Sequence, residues 1–231
     1  MKNVPQNYSS ADYLQFQFLH GGQAPAAGAV IEPVRGPVTV IAVHLHDGED
    51  QYMRGLVDGT NAVCEAVRSQ FGQLLIVNNT GDAPPSLMSL PGAAVVGDYE
   101  LFQPPLLQVL EQQRRIVVTG WDARACVRET LRGVISLLPD APSEVHFPLG
   151  ALDDAKNDGI SAPDEQKVVL STLIGMYARL ANDVRGLARV SYDGNYLAQH
   201  DDSGPPTALH FYSSVDSFGA LNNAESPPRS S

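Results

Sequence analysis

Residues 115–138, RIVVTGWDARACVRETLRGVISLL, decide the fold. Ile116, Val117, Val118 and Thr119 form a β-branched run closed by Gly120, which reads as a buried strand. Further on the period changes: Val127, Leu131, Val134 and Leu138 recur at spacings of four, three and four, which makes one apolar helix face. The intervening turn, Gly120-Trp121-Asp122-Ala123-Arg124-Ala125, delivers Cys126 to about the first turn of that helix. Unpaired amides and the positive end of the helix dipole favour a thiolate there and can hold an oxyanion. Arg124 and Arg128 lie close by and add positive charge. A small buried cysteine is the alternative at such a position.

The pattern repeats outward from this stretch. Val38 to Val43, VTVIAV, is a continuous apolar strand of the kind buried on both faces. Residues 56 to 71 read as a helix with Val63, Ala66, Val67 and Phe71 inward, and Leu74 to Val77 as the next strand. A long turn-rich loop, Asn78 to Pro91, precedes a short strand at Ala94 to Val96 and a helix from Pro104 through Gln113. After the central stretch come a strand at Glu144 to Phe147, and a helix capped by Ser161 that buries Val169, Leu173, Met176 and Leu180. A strand at Leu187 to Tyr192 follows. Alternation of this kind predicts an α/β, three-layer, Rossmann-like fold with a mostly parallel sheet flanked by helices on both faces.

Three parts are expected: an irregular N-terminal arm over 1–36, the α/β domain over 37–192, and a C-terminal extension over 193–231 with a disordered end. Tyr13, Phe16 and Phe18 make the arm too apolar for a free tail, so it is expected to pack on its own domain or on a partner subunit. ALHFYSSVDSF, in the extension, adds a strand or clasps a partner.

The composition, 43% apolar and 18% charged, is that of a globular domain, and no apolar run is long enough to span a bilayer. No signal peptide is visible, which makes the cytoplasm the expected location. A formal charge of −11 argues against binding nucleic acid or an anionic membrane. The acidic clusters at Asp47 to Asp50, Asp153 to Asp164, and Asp201 with Asp202 read as solvated loops. With only Cys64 and Cys126 there is neither a disulfide framework nor a thiolate zinc site, and Cys64 reads as inert packing. His44-Leu45-His46-Asp47 follows the first strand, where open α/β sheets place ligands. On an extended chain His44 and His46 share a face, but no third ligand accompanies them, so no metal and no cofactor are expected.

Taken together, the order of elements and the segment Val118-Thr119-Gly120-Trp121-Asp122-Ala123-Arg124-Ala125-Cys126-Val127, with Thr130 following, resemble the isochorismatase-like cysteine hydrolase superfamily. The resemblance covers about residues 37 to 192 and includes Asp154-Ala155 after the next strand. It implies Cys126 as a nucleophile that forms a covalent acyl intermediate, with the backbone amides of Asp122 and Cys126 as oxyanion donors. The family's general-base Asp at the end of its first strand falls on Val43 or His44. Its Lys-containing segment corresponds to residues 95–102, VVGDYELF, which has no Lys. The metal-binding His and Asp of nicotinamidases have no counterpart in residues 78–89, so that activity is not expected.

His44, His46 or Asp47 is then the substitute base, and Trp121, Arg124 and Phe102 are the expected substrate-binding side chains. One reading is a homo-oligomeric hydrolase that cleaves a small amide or related small-molecule substrate. The other is a family member that has lost turnover and serves as a binding or assembly protein.

Overall fold

β1 (Val38–Val43) is buried along its whole length because it has a parallel neighbour on each side. β2 (Phe71–Val77) pairs with it so that Val43 lies opposite Val77, and β4 (Arg115–Gly120) pairs so that Val43 lies opposite Gly120. The computed structural model describes residues 36–48, 51–78, 82–138, 144–152, 163–184, 187–199 and 207–223. Within them β3 (Ala93–Val96), β5 (Glu144–Pro148), β6 (Leu187–Tyr192), β7 (Asn195–Gln199) and β8 (Thr207–Tyr212) complete an eight-stranded sheet in the order β3-β2-β1-β4-β5-β8-β6-β7. Every pairing is parallel except that of β6 with β7.

Among the described residues six α-helices cover the two faces: α1 (Gln51–Ala66), α2 (Pro85–Met88), α3 (Pro104–Glu111), α4 (Cys126–Leu137), α5 (Pro163–Val184) and α6 (Val215–Asn223). Strand alternation divides the core between them. Ile41, Val43, Ile116, Val118, Val145 and Phe147 pack with residues of α4 and α5 on one face. Val40, Ala42, Leu74, Ile76 and Val117 pack with residues of α1 and α6 on the other. This is the three-layer α/β architecture that the alternating pattern predicts. Among the described residues no helix is long and apolar enough to cross a membrane.

Several boundaries shift for physical reasons. α1 begins at Gln51, and Phe71, expected inside the helix, opens β2. Met53, Leu56, Thr60, Val63 and Cys64 form its buried stripe, while Ala66 is only partly buried. α5 turns a different stripe inward than expected. Leu173, Ile174, Tyr177, Ala178 and Ala181 are buried, whereas Met176 and Leu180 sit at the margin of the core. The large Tyr177 ring takes the central position, where it packs on Phe147 and Phe211.

The sheet also continues past the expected boundary at residue 192. β7 folds back as an antiparallel edge, and β8, the ALHFY segment, inserts between β5 and β6 with all six of its residues buried. A segment so apolar belongs in the sheet rather than on an extension. The N-terminal arm with Tyr13, Phe16 and Phe18, Glu49 and Asp50, Asp154-Ala155, Ser161, and Asp201 with Asp202 lie outside the described residues, as does the side chain of Val169.

Candidate active site

The strand order sets where the site falls. β1 runs between β2, which leads outward one way, and β4, which leads the other, so the carboxyl ends of β1 and β4 flank the switch point at which such sheets bind ligands. Three amides continue the ladder one step past the strands. His44 N donates to Val77 O at 2.8 Å, Asn78 N to Val96 O at 2.9 Å, and Trp121 N to Val43 O at 2.9 Å. The rim of the sheet is therefore hydrogen-bonded and fixed.

At this rim the backbone leaves the extended region abruptly. Gly120 (φ 121°) lies so close to β1 that a Cβ there would meet Val43 O at 2.2 Å, which only glycine permits. His44 (φ 52°) and Asp122 (φ 58°) take left-handed conformations that non-glycine residues rarely adopt, a kind of strain that concentrates at functional sites. The turn at His44 breaks the alternation expected of His44 and His46. His44 lines one cavity together with Cys126, whereas His46 and Asp47 line another with Arg54 and Asp58. Asp47, expected as a possible base, is therefore not at the thiol, and neither is His46.

The cavity at Cys126 encloses about 710 Å³, within the range of small-molecule sites. His44 enters from the end of β1, Asp98, Tyr99 and Phe102 from the segment after β3, and Cys126 from the first residue of α4. The His44 Nε2–H donates to Asp98 Oδ1 at 2.9 Å, with the two side chains 23% and 34% exposed. Asp98 is the site residue that sequence reasoning missed. It is 54 positions from His44, and the signal for it was an acid standing in the segment where a Lys was sought.

Glu100 fixes the segment that carries Asp98 by accepting from Gly97 N at 2.8 Å. Phe102 lies against α4 at Gly133, where a Cβ would meet its ring at 2.4 Å. Trp121 and Arg124, expected to contact substrate, are exposed and lie outside the residues lining this cavity, whereas Phe102 is among those residues.

The turn before Cys126 is anchored twice. The Tyr177 hydroxyl of α5 donates to the Ala123 carbonyl. Asp122 anchors the turn into the helix: Ala125 N, one residue before the helix, donates to its Oδ1 at 3.1 Å, and its carbonyl accepts from Ala125 N at 3.2 Å and Val127 N at 3.1 Å. This anchoring has an electrostatic consequence that the sequence did not reveal. It occupies the Val127 amide and sets a carboxylate near the sulfur. Burial, then Asp122 and Asp98, push the Cys126 thiol above its ordinary range, although its own amide works in the opposite direction. The expected depression by Arg124 and Arg128 is absent, and Arg128 is engaged by Glu129 at 2.8 Å. Cys64 is buried in the core, which pushes its thiol up to about 12, in keeping with inert packing.

No protein-family model matches the chain, and no curated protein matches it. Among solved structures it is similar to the MAR1 ribonuclease from Caenorhabditis elegans, with 14% identity and a TM-score of 0.44 over 68% of this chain and 85% of that one. It is also similar to a ribokinase-like superfamily protein from Enterococcus faecalis V583, with 16% identity and a TM-score of 0.38 over 96% of this chain and 81% of that one. Likenesses at this level do not bear on the chemistry of the site.

Proposed function

We propose that the chain is an isochorismatase-like cysteine hydrolase acting on a small amide or a related compound, with Cys126 as nucleophile, His44 as base and Asp98 orienting the imidazole. The observation that carries this reading is the 2.9 Å His44–Asp98 hydrogen bond on the wall of the cavity that Cys126 lines. Against the family pattern, in which an Asp ends the first strand and a Lys follows the third, the carboxylate has moved to the segment after β3 and a histidine ends β1. Burial and the nearby carboxylates disfavour the thiolate, which increases the need for a base.

His44 takes the Sγ proton as sulfur attacks the carbonyl carbon, and the oxyanion forms beside the Cys126 amide. The imidazolium then protonates the departing amine, leaving a thioester on Cys126. Water, deprotonated by the neutral imidazole, attacks the thioester. The acid leaves, and the returning proton restores the thiol. Exposed Tyr99 and Leu137, which line the same cavity, support closure of the site by a second copy of the chain.

A panel of small amides assayed with wild type, Cys126→Ala and His44→Ala tests the reading. Loss of turnover in Cys126→Ala and a roughly 10²- to 10⁴-fold fall in kcat for His44→Ala are expected. Equal turnover in wild type and Cys126→Ala would end the hydrolase case. The second reading, a binding protein without turnover, draws on the same elevated thiol. It predicts ligand retention in this cavity by Cys126→Ala with no hydrolysis by wild type.

A further inference from the structure

A second grouping of histidine and carboxylate lies inside the sheet, on the face covered by α1 and α6. Glu144 and His146 alternate along β5 and so point the same way, and His210 of β8 lies directly opposite His146 in the register. The three side chains are at most 2% exposed. Each ring is turned by a hydroxyl: His146 Nδ1 is 2.8 Å from the Tyr212 hydroxyl, and His210 Nδ1 is 2.8 Å from the Ser191 hydroxyl. The two imidazoles stack with centroids 4.8 Å apart.

Both Nε2 atoms are thereby aimed at Glu144, at 3.4 Å from Oε2 for His146 and 3.8 Å from Oε1 for His210. Neither has a hydrogen-bond partner among the described residues. Buried polar atoms left in this state are rare and call for a cause.

From this geometry we infer that Glu144, His146 and His210 form a binding site for one divalent first-row metal ion of the zinc type, fastening β8 to β5. The separations are too long for N–H···O hydrogen bonds, which run about 2.7–3.2 Å. They lie near the spacing of about 3.3 Å between donors around a tetrahedral zinc at bond lengths of about 2.0–2.1 Å. The donor atoms all fall within 4.8 Å of one another, so binding draws the widest pair together. Two imidazoles with one carboxylate are a fitting set for zinc, and Tyr212 and Ser191 supply the outer contacts that orient metal-bound histidines.

Two guanidiniums face the carboxylate, Arg115 Nε at 3.8 Å from Oε2 and Arg189 at 4.0 Å from Oε1. The terminal nitrogens of Arg115 are held by Gln70 and Asn222, so its charge has polar support apart from Glu144.

The test uses the full chain, stripped with a chelator, desalted and titrated with Zn²⁺, with Co²⁺ as a spectroscopic probe. One equivalent of zinc retained per chain, a Tm that rises with zinc, and a visible ligand-field band with cobalt are expected. His210→Gln and Glu144→Gln should abolish all three, and Cys126→Ser should keep them. Should either of the first two variants not fold, Ser191→Ala and Tyr212→Phe decide, since each should weaken zinc binding about 10- to 100-fold by loosening one ring. Absence of retained zinc and of any Tm shift in wild type overturns the inference. So does retention by His210→Gln equal to wild type, loss in Cys126→Ser, or unchanged affinity in both hydroxyl variants.

Discussion

His44 with Asp98 at the rim of the sheet, and His146 with Glu144 in its interior, bring together the same two kinds of side chain in opposite surroundings. The rim pair keeps 23% and 34% of its side-chain surface, borders an open cavity and sits on a strained turn. The interior pair keeps 0% and 1%, sits on regular strand and is enclosed by aromatic rings. Water decides what each can do. At the rim the imidazole is open to water and to a small molecule in the cavity, so the histidine is suited to catalysis. In the interior burial fixes the protonation states, and the histidine is suited to holding structure or an ion.

Truncating each carboxylate separates the two roles most sharply. Glu144→Ala leaves the buried Arg115 without its facing carboxylate and should cost about 3–5 kcal/mol in urea unfolding. Asp98→Ala, in a half-exposed pair, should cost about 0–1 kcal/mol while lowering turnover. Similar stability losses in the two variants would erase the distinction.

Acid should act on the interior first. His146 in the fold takes up a proton only near pH 3, against an ordinary value of 6.5, so below 6.5 the unfolded chain binds more protons and stability falls. The slope should approach about 1.4 kcal/mol per pH unit between those limits. Glu144, also held below its ordinary value, adds to the loss as pH drops under 4.5. Urea midpoints measured across this range should fall in wild type and flatten in His146→Leu; parallel curves would refute the assignment.

The two thiols offer a gentler comparison. Both are raised, Cys64 to about 12, yet Cys126 is only partly buried. Alkylation of each should accelerate with pH, and Cys126 should react first in the native protein. Preferential modification of Cys64 would show that the rim is less open than its geometry indicates. The smallest effect is expected from Gly133→Ala, where helix propensity gains about 0.5–1 kcal/mol but the new methyl displaces the Phe102 ring. KM should rise with little change in Tm, and an unchanged KM would remove Phe102 from the site.

The strands of the first half were legible because their neighbours impose a simple rule: VTVIAV is apolar but for Thr39 since parallel strands flank it and helices cover both its faces. Cys126 was legible for a similar reason, the change of period from strand to helix within one short stretch. Asp98 was not, because its meaning depends on His44 across an intervening strand, and no local pattern expresses a contact 54 residues long. The interior histidines were hidden in the same way. His146 and His210 face each other only because β8 enters between β5 and β6, a pairing that periodicity cannot report. The thiol's electrostatics were misread because the helix-start rule considers the amides and the dipole alone, whereas burial and the carboxylates of Asp122 and Asp98 act against the thiolate here.

The late insertion of β8 also bears on how the chain is made. β6 precedes β8 in sequence but lies beyond it in the sheet, so β8 cannot pair with β5, nor β6 with β8, until residues 207–212 have been synthesised. A growing chain that has already formed β1 to β5 exposes the backbone edge of β5 for that interval, and such edges recruit strands from other molecules. The stretch from β5 to β8 is therefore the interval in which the unfinished sheet is open to pairing with other chains.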